Sequence, residues 1–168
     1  MSEEIINKVA QSQLQSLDLE TYYPKEPIAV FDLKPFLYMG LILKEKDFRS
    51  GLQNTDWSQY RDRIVGVTCS ADAVIPVWAY MLVASCLEPF AREIIMGDEK
   101  KVVEQILLRK LQEIDLSEFA DKRIVVKGCG DLPIPESAYM EITRRLVPVA
   151  KSIMYGEPCS TVPVYKKK

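Results

Sequence analysis

The sequence predicts a single α/β domain with a mostly parallel sheet flanked by helices, and three observations carry that prediction. Residues 56–98 and 115–157 match one another, each segment alternates a β-branched run with a helical pattern, and the composition is that of a globular protein. At 168 residues, one domain spanning 1–168 buries roughly two-thirds of the surface its unfolded chain exposes. Hydrophobic residues make up 48% and charged residues 27%, which argues against disorder. The formal charge of −2 lacks the basic footprint of a nucleic-acid binder, so no such partner is expected. Histidine is absent, which excludes Ser/His/Asp and Cys/His catalysis and His-ligated zinc.

Residues 1–25 predict a helix followed by a Pro-terminated lead-in, and Ile28–Leu33 a strand. Glu45–Leu52 predicts a helix weakened by Gly51. The internal match begins at Asp56. Asp56–Asp98 overlies Asp115–Glu157 with Lys122 and Ala71 each left unmatched, pairing Ile64 with Ile124, Cys69 with Cys129, Pro76 with Pro135 and Tyr80-Met81 with Tyr139-Met140. In each copy a strand, Arg63–Cys69 or Arg123–Cys129, is followed by a short loop. A helix opens with Pro76 or Pro135 at its first position and runs through Leu87 or Leu146, and Pro89 or Pro148 marks its end. A second strand, Glu93–Met96 or Ser152–Tyr155, stops at Gly97 or Gly156. Each copy is thus a βαβ unit, expected to run parallel through a right-handed crossover. Glu99–Ile114 is an amphipathic helix capped by Asp98 that joins the copies, and Val162–Lys168 is an extended strand or arm ending in three lysines.

The acidic start Met1-Ser2-Glu3-Glu4 lacks a secretory pattern. The longest apolar stretch, Val74 to Leu87, is too short for the ~20 residues of a membrane span. A cytoplasmic protein with reduced cysteines and no membrane partner is expected. In α/β sheets ligands collect at the carboxyl ends of strands, where Cys69, Cys129 and Cys159 fall. If the matched strands were neighbours, ~4.8 Å apart, two thiols would reach one ion. The expected site is therefore a soft-metal, iron–sulfur or sulfur-species centre on Cys69, Cys129 and Cys159, with Asp72, Asp131 or Glu157 as a fourth ligand. Ser70, Lys127, Gly128 and Gly130 are candidates for holding an anion. Two alternatives stand beside this one: a cysteine-nucleophile enzyme acting without histidine, and a non-catalytic interaction or scaffold protein. Cys86, inside an apolar helix, reads as packing.

The segments Asp56-Trp57-Ser58-Gln59-Tyr60, Cys69 through Met81 and Gly156-Glu157-Pro158-Cys159-Ser160-Thr161-Val162-Pro163-Val164-Tyr165-Lys166 resemble the bacterial family catalogued as domain of unknown function 2480 (DUF2480). The resemblance covers nearly the whole chain. It implies an accessory role beside the sulfur-mobilisation system of iron–sulfur cluster assembly, whose proteins would then be its partners, rather than an independent enzyme.

Overall fold

A computed structural model describes residues 14–127 and 130–168. The strands are β1 (Leu14–Asp18), β2 (Ile28–Asp32), β3 (Ile64–Thr68), β4 (Glu93–Met96), β5 (Arg123–Lys127), β6 (Ser152–Glu157) and β7 (Ser160–Lys166). The described α-helices are α1 (Glu45–Gln53), α2 (Val77–Leu87), α3 (Glu99–Glu113) and α4 (Glu136–Leu146). The strands form two mostly parallel sheets, one of order β2-β3-β4 and one of order β1-β5-β6-β7, with β7 the antiparallel member. The chain separates into two compact units accordingly. Lys25–Val103 carries the three-stranded sheet, and Glu104–Lys168 with the residues up to Pro24 carries the four-stranded one.

In the three-stranded unit, Val65 and Val67 of β3 and Phe31 of β2 pack with Ala79, Val83 and Leu87, one face of α2. An aromatic group packs against this core. Phe31 stacks on Phe36 and Trp57 at 5.4 and 5.1 Å, and Phe48 meets Phe36 and Trp78 edge-on. Gly51 is now explained: a Cβ there would lie 2.8 Å from the Phe36 ring, so the helix accepts glycine to let the ring in. In the four-stranded unit, Ile124, Val126 and Ile153 pack with Leu107 and Leu111 and with Ala138, Ile142 and Leu146 of α4. Arg145 donates to the carbonyls of Leu111 (2.5 Å) and Ile114 (3.0 Å), capping the end of α3.

The matching segments adopt the same succession of elements, and their hydrogen bonds define the correspondence. Asp62 N donates to Phe90 O and Arg92 N to Arg63 O in one. In the other, Asp121 N donates to Val149 O and Lys151 N to Lys122 O. Asp62 and Asp121 both take a left-handed conformation (φ 60° and 56°), as do Gly97 and Gly156 (φ 138° and 120°). The strand registers agree, with Ile64 beside Glu93 and Arg123 beside Ser152. Arg63 therefore corresponds to Lys122 and Ile64 to Arg123, with neither Lys122 nor Ala71 left over. The two gaps placed on sequence identity slide this strand by one residue, which turns every side chain to the opposite face. In the structure the core-facing pairs are Val65 with Ile124 and Val67 with Val126.

Other expectations need correction. Residues 14–18 are a strand rather than part of a helix, because Leu14–Asp18 pairs along its whole length with Arg123–Lys127 and buries Leu17. The rest of the predicted helix, residues 1–13, lies outside the described residues. Pro76 and Pro135 are N-caps with ψ 139° and 148°, one residue before the helix rather than inside it. β6 runs through Gly156 to Glu157, where the turn into β7 begins. A Cβ on Gly156 would lie 2.5 Å from Ser160 O, so close pairing with β7 requires glycine there. Asp98 caps α3 as expected, its Oδ1 accepting from Lys101 N at 2.9 Å.

Candidate functional site

The carboxyl edge of the three-stranded sheet is organised by Asp32, the last residue of β2. Its Oδ1 accepts from Lys34 N and Ser70 N, both at 2.9 Å, and its Oδ2 accepts from the Ser70 hydroxyl. Leu33 N donates to Thr68 O at 2.8 Å, so the segment after β2 and the loop after β3 are stapled at two points. Burial opposes ionisation of Asp32. The bonds from the Ser70 hydroxyl, Lys34 N and Ser70 N, with the Lys34 charge, outweigh it and hold the carboxyl below its ordinary pKa.

Cys69 lies between the stapled residues. It is half-buried, packed on the unit's core, with Sγ 3.8 Å from Ala71 O. Tyr80 is close enough that burial, and next the Cys69 charge, raise its pKa. The segments at and after the strand ends of this unit expose several apolar side chains. Val74 is 92% exposed, Met39 79% and Val77 76%, and Tyr38, Leu41, Ile42 and Met96 are exposed as well. Tyr38 and Ile42 bond each other's backbone across a tight turn (2.7 and 3.1 Å), and Met39 at its tip takes φ 51°. A bulky non-glycine residue held left-handed at an exposed tip is strained, and strain of that kind concentrates at working surfaces.

The carboxyl edge of the four-stranded sheet carries more carboxylates, beside exposed Leu132, Tyr155 and Val162. Asp18 accepts from Glu20 N at 3.0 Å, and Glu20 accepts from Leu132 N at 3.1 Å. A Cβ on Gly130 would collide with the Glu20 carboxylate, so glycine is what lets that carboxylate reach the loop. Lys127 pairs with Glu157 at 3.3 Å. Asp131 and Glu136 are exposed, and Cys159 is exposed in the turn between β6 and β7.

The expected ligands are therefore distributed as follows. Cys69 and the exposed Asp72 belong to one unit, and Cys159, Asp131 and Glu157 to the other. Cys129 and Gly128 lie outside the described residues. β3 and β5 belong to different sheets, so the adjacency that would have set two thiols on neighbouring strands is not found. Among the described residues, no group of three or more Cys, Asp or Glu is arranged to hold a metal ion. The anion candidates serve the chain's own carboxylates: Ser70 donates to Asp32, Gly130 makes room for Glu20, and Lys127 pairs with Glu157. Cys86 is half-buried on the core of its unit.

Sequence reasoning missed Asp32, because a partner 38 residues from Ser70 is joined to it only by strand register. One signal was present. Leu17-Asp18-Leu19 and Phe31-Asp32-Leu33 repeat an aspartate between buried apolar residues at the end of an edge strand, and both aspartates accept from the backbone two residues on.

Comparison with known proteins adds one match. The family model described as "Protein of unknown function (DUF2480)" matches residues 3–167. No curated protein and no solved structure matches the chain.

Proposed function

We propose that this chain, which belongs to the DUF2480 family, is a non-catalytic accessory protein that binds another protein through the carboxyl edge of its three-stranded sheet. The observation that carries the reading is the exposure of Tyr38, Met39, Leu41, Ile42, Val74, Val77 and Met96 on the segments at and after the ends of β2, β3 and β4. Leaving apolar area in water forgoes roughly 25 cal/mol per Å², so large apolar side chains kept in solvent point to an interaction surface. The equivalent edge of the other unit carries Glu20, Asp131, Glu136 and Glu157 beside its exposed Leu132, Tyr155 and Val162, so it is the more charged of the two. The partners that the family resemblance implies are the proteins of sulfur mobilisation for iron–sulfur assembly. Titration of the purified chain against those proteins, purified anaerobically, tests the reading. Binding is expected, with Met39→Glu and Val74→Glu each weakening it at least tenfold. Absence of binding, or indifference to both substitutions, ends it.

A second reading is carried by Cys69, a free, half-buried thiol directly after β3. The thiolates of Cys69, Cys129 and Cys159, with a carboxylate of Asp72, Asp131 or Glu157, have the chemistry to hold a soft metal ion or sulfur species. The described residues alone do not complete such a set, so this reading depends on Cys129. Metal and sulfide analysis of anaerobically purified protein, before and after replacing Cys69 and Cys129 by serine, decides it. Unchanged content in the double variant overturns the site.

A further inference from the structure

We propose that the amino edge of the four-stranded sheet binds a multiply charged phosphate group through Arg123, Lys151, Ser152, Lys166 and Lys167. These five residues line a cavity of about 340 Å³ whose remaining lining is Met154, Pro163 and Tyr165. Strand pairing builds it. Arg123 of β5 is in register with Ser152 of β6, and Ser152 is in register with Lys166 of β7. Residues in register on neighbouring strands point to the same side of a sheet, so a hydroxyl is flanked by cations at one strand spacing, ~4.8 Å, on either side. Lys167 N donates to Lys151 O at 2.9 Å, which brings two more lysines to the same corner.

The charge there is poorly balanced. Lys167 has an exposed partner in Asp121 at 3.3 Å. Among the described residues Arg123, Lys151 and Lys166 form no ion pair, and the half-buried Ser152 hydroxyl has no hydrogen-bond partner. In a chain of net charge −2, four cations gathered on one cavity repel each other unless an anion joins them. The matching register pair of the three-stranded sheet is Ile64 with Glu93, and among the described residues no further strand pairs with β4 there. The cluster is thus specific to the unit that adds β7 with its lysines. A phosphate chain concentrates three or more charges and many acceptor oxygens within a few hundred Å³, whereas the carboxylates of an acidic peptide are spread along a surface.

Calorimetric titration of the full chain with inorganic tripolyphosphate and with ATP, in 0.1 M KCl, tests the proposal. Saturable 1:1 binding is expected, weakened at least tenfold by R123Q/K166Q, several-fold by S152A, and by raising KCl to 0.3 M. The control K46Q/K101Q, which removes as much charge from exposed lysines of the other unit, is expected to leave it unchanged. Equal affinity for the two probes means that the phosphate chain alone is read. Tighter ATP binding means that the adjoining Met154 and Pro163 take the base, and either result supports the site. If R123Q/K166Q does not fold, Lys151→Gln and Ser152→Ala carry the same expectation. No saturable binding at millimolar probe, equal loss in the K46Q/K101Q control, or tighter binding of hexaglutamate than of tripolyphosphate overturns it.

Discussion

Removing the Asp32 carboxylate by Asp32→Ala should both destabilise the three-stranded unit and loosen the loop that holds Cys69. Three hydrogen bonds are lost, two from backbone N–H groups at 2.9 Å and one from the Ser70 hydroxyl. At about 1 kcal/mol net for each, and discounted because all three are exposed, the expected loss is about 2 kcal/mol. Asp32→Asn keeps an acceptor for the N–H groups but turns the second oxygen into a donor, and should cost about 1 kcal/mol. The pH dependence separates the charge from the geometry. The folded pKa is lower than the unfolded one, so the stabilisation is complete above the ordinary carboxylate value of 3.8 and fades as pH falls through the folded pKa. The gap between wild type and Asp32→Asn is therefore constant at neutral pH and narrows below about pH 4. Urea midpoints measure the stability, and the rate at which Cys69 reacts with an aromatic disulfide, with Cys86, Cys129 and Cys159 replaced by serine, measures loop opening. Asp32→Ala is expected to accelerate labelling at least fivefold. An unchanged midpoint together with an unchanged labelling rate would refute the stapling argument.

Two further predictions rest on packing and capping. Gly66→Ala places a methyl group 2.6 Å from Gly97 O and 2.8 Å from Val102 Cγ2, so backbone as well as a side chain must give way. The expected loss is about 1–3 kcal/mol by urea denaturation, and a neutral result would mean that β3, β4 and the start of α3 approach less closely than described. Arg145→Met keeps the apolar stem and removes both bonds to the Leu111 and Ile114 carbonyls. It should cost about 1–2 kcal/mol, with faster amide exchange near the end of α3, and protection equal to wild type would dismiss the cap.

Elements whose cause is local were legible in the sequence. Ile28–Asp32, the strands after Asp62 and Asp121, the helices that follow Pro76 and Pro135, and the Asp98-capped α3 all stand close to where periodicity and capping put them. Residues 14–18 were not legible, because Leu14-Gln-Ser-Leu-Asp has too little pattern of its own and becomes a strand by pairing with β5. The candidate site was half legible: Cys69 at the end of its strand follows from the local pattern, whereas Asp32 needs the β2–β3 register.

The amino-acid sequence by itself determined the α/β class, the matched strand–helix–strand segments and, through the absence of histidine, the chemistries that are closed to this chain. The division of the strands between two sheets was decided only in three dimensions, and so was the one-residue correspondence that sets Val65 with Ile124. Identity between letters is blind to which face a side chain takes, but burial is not: a strand slipped by one position would turn Val65 and Val67 out of their core, and the hydrophobic free energy forbids it.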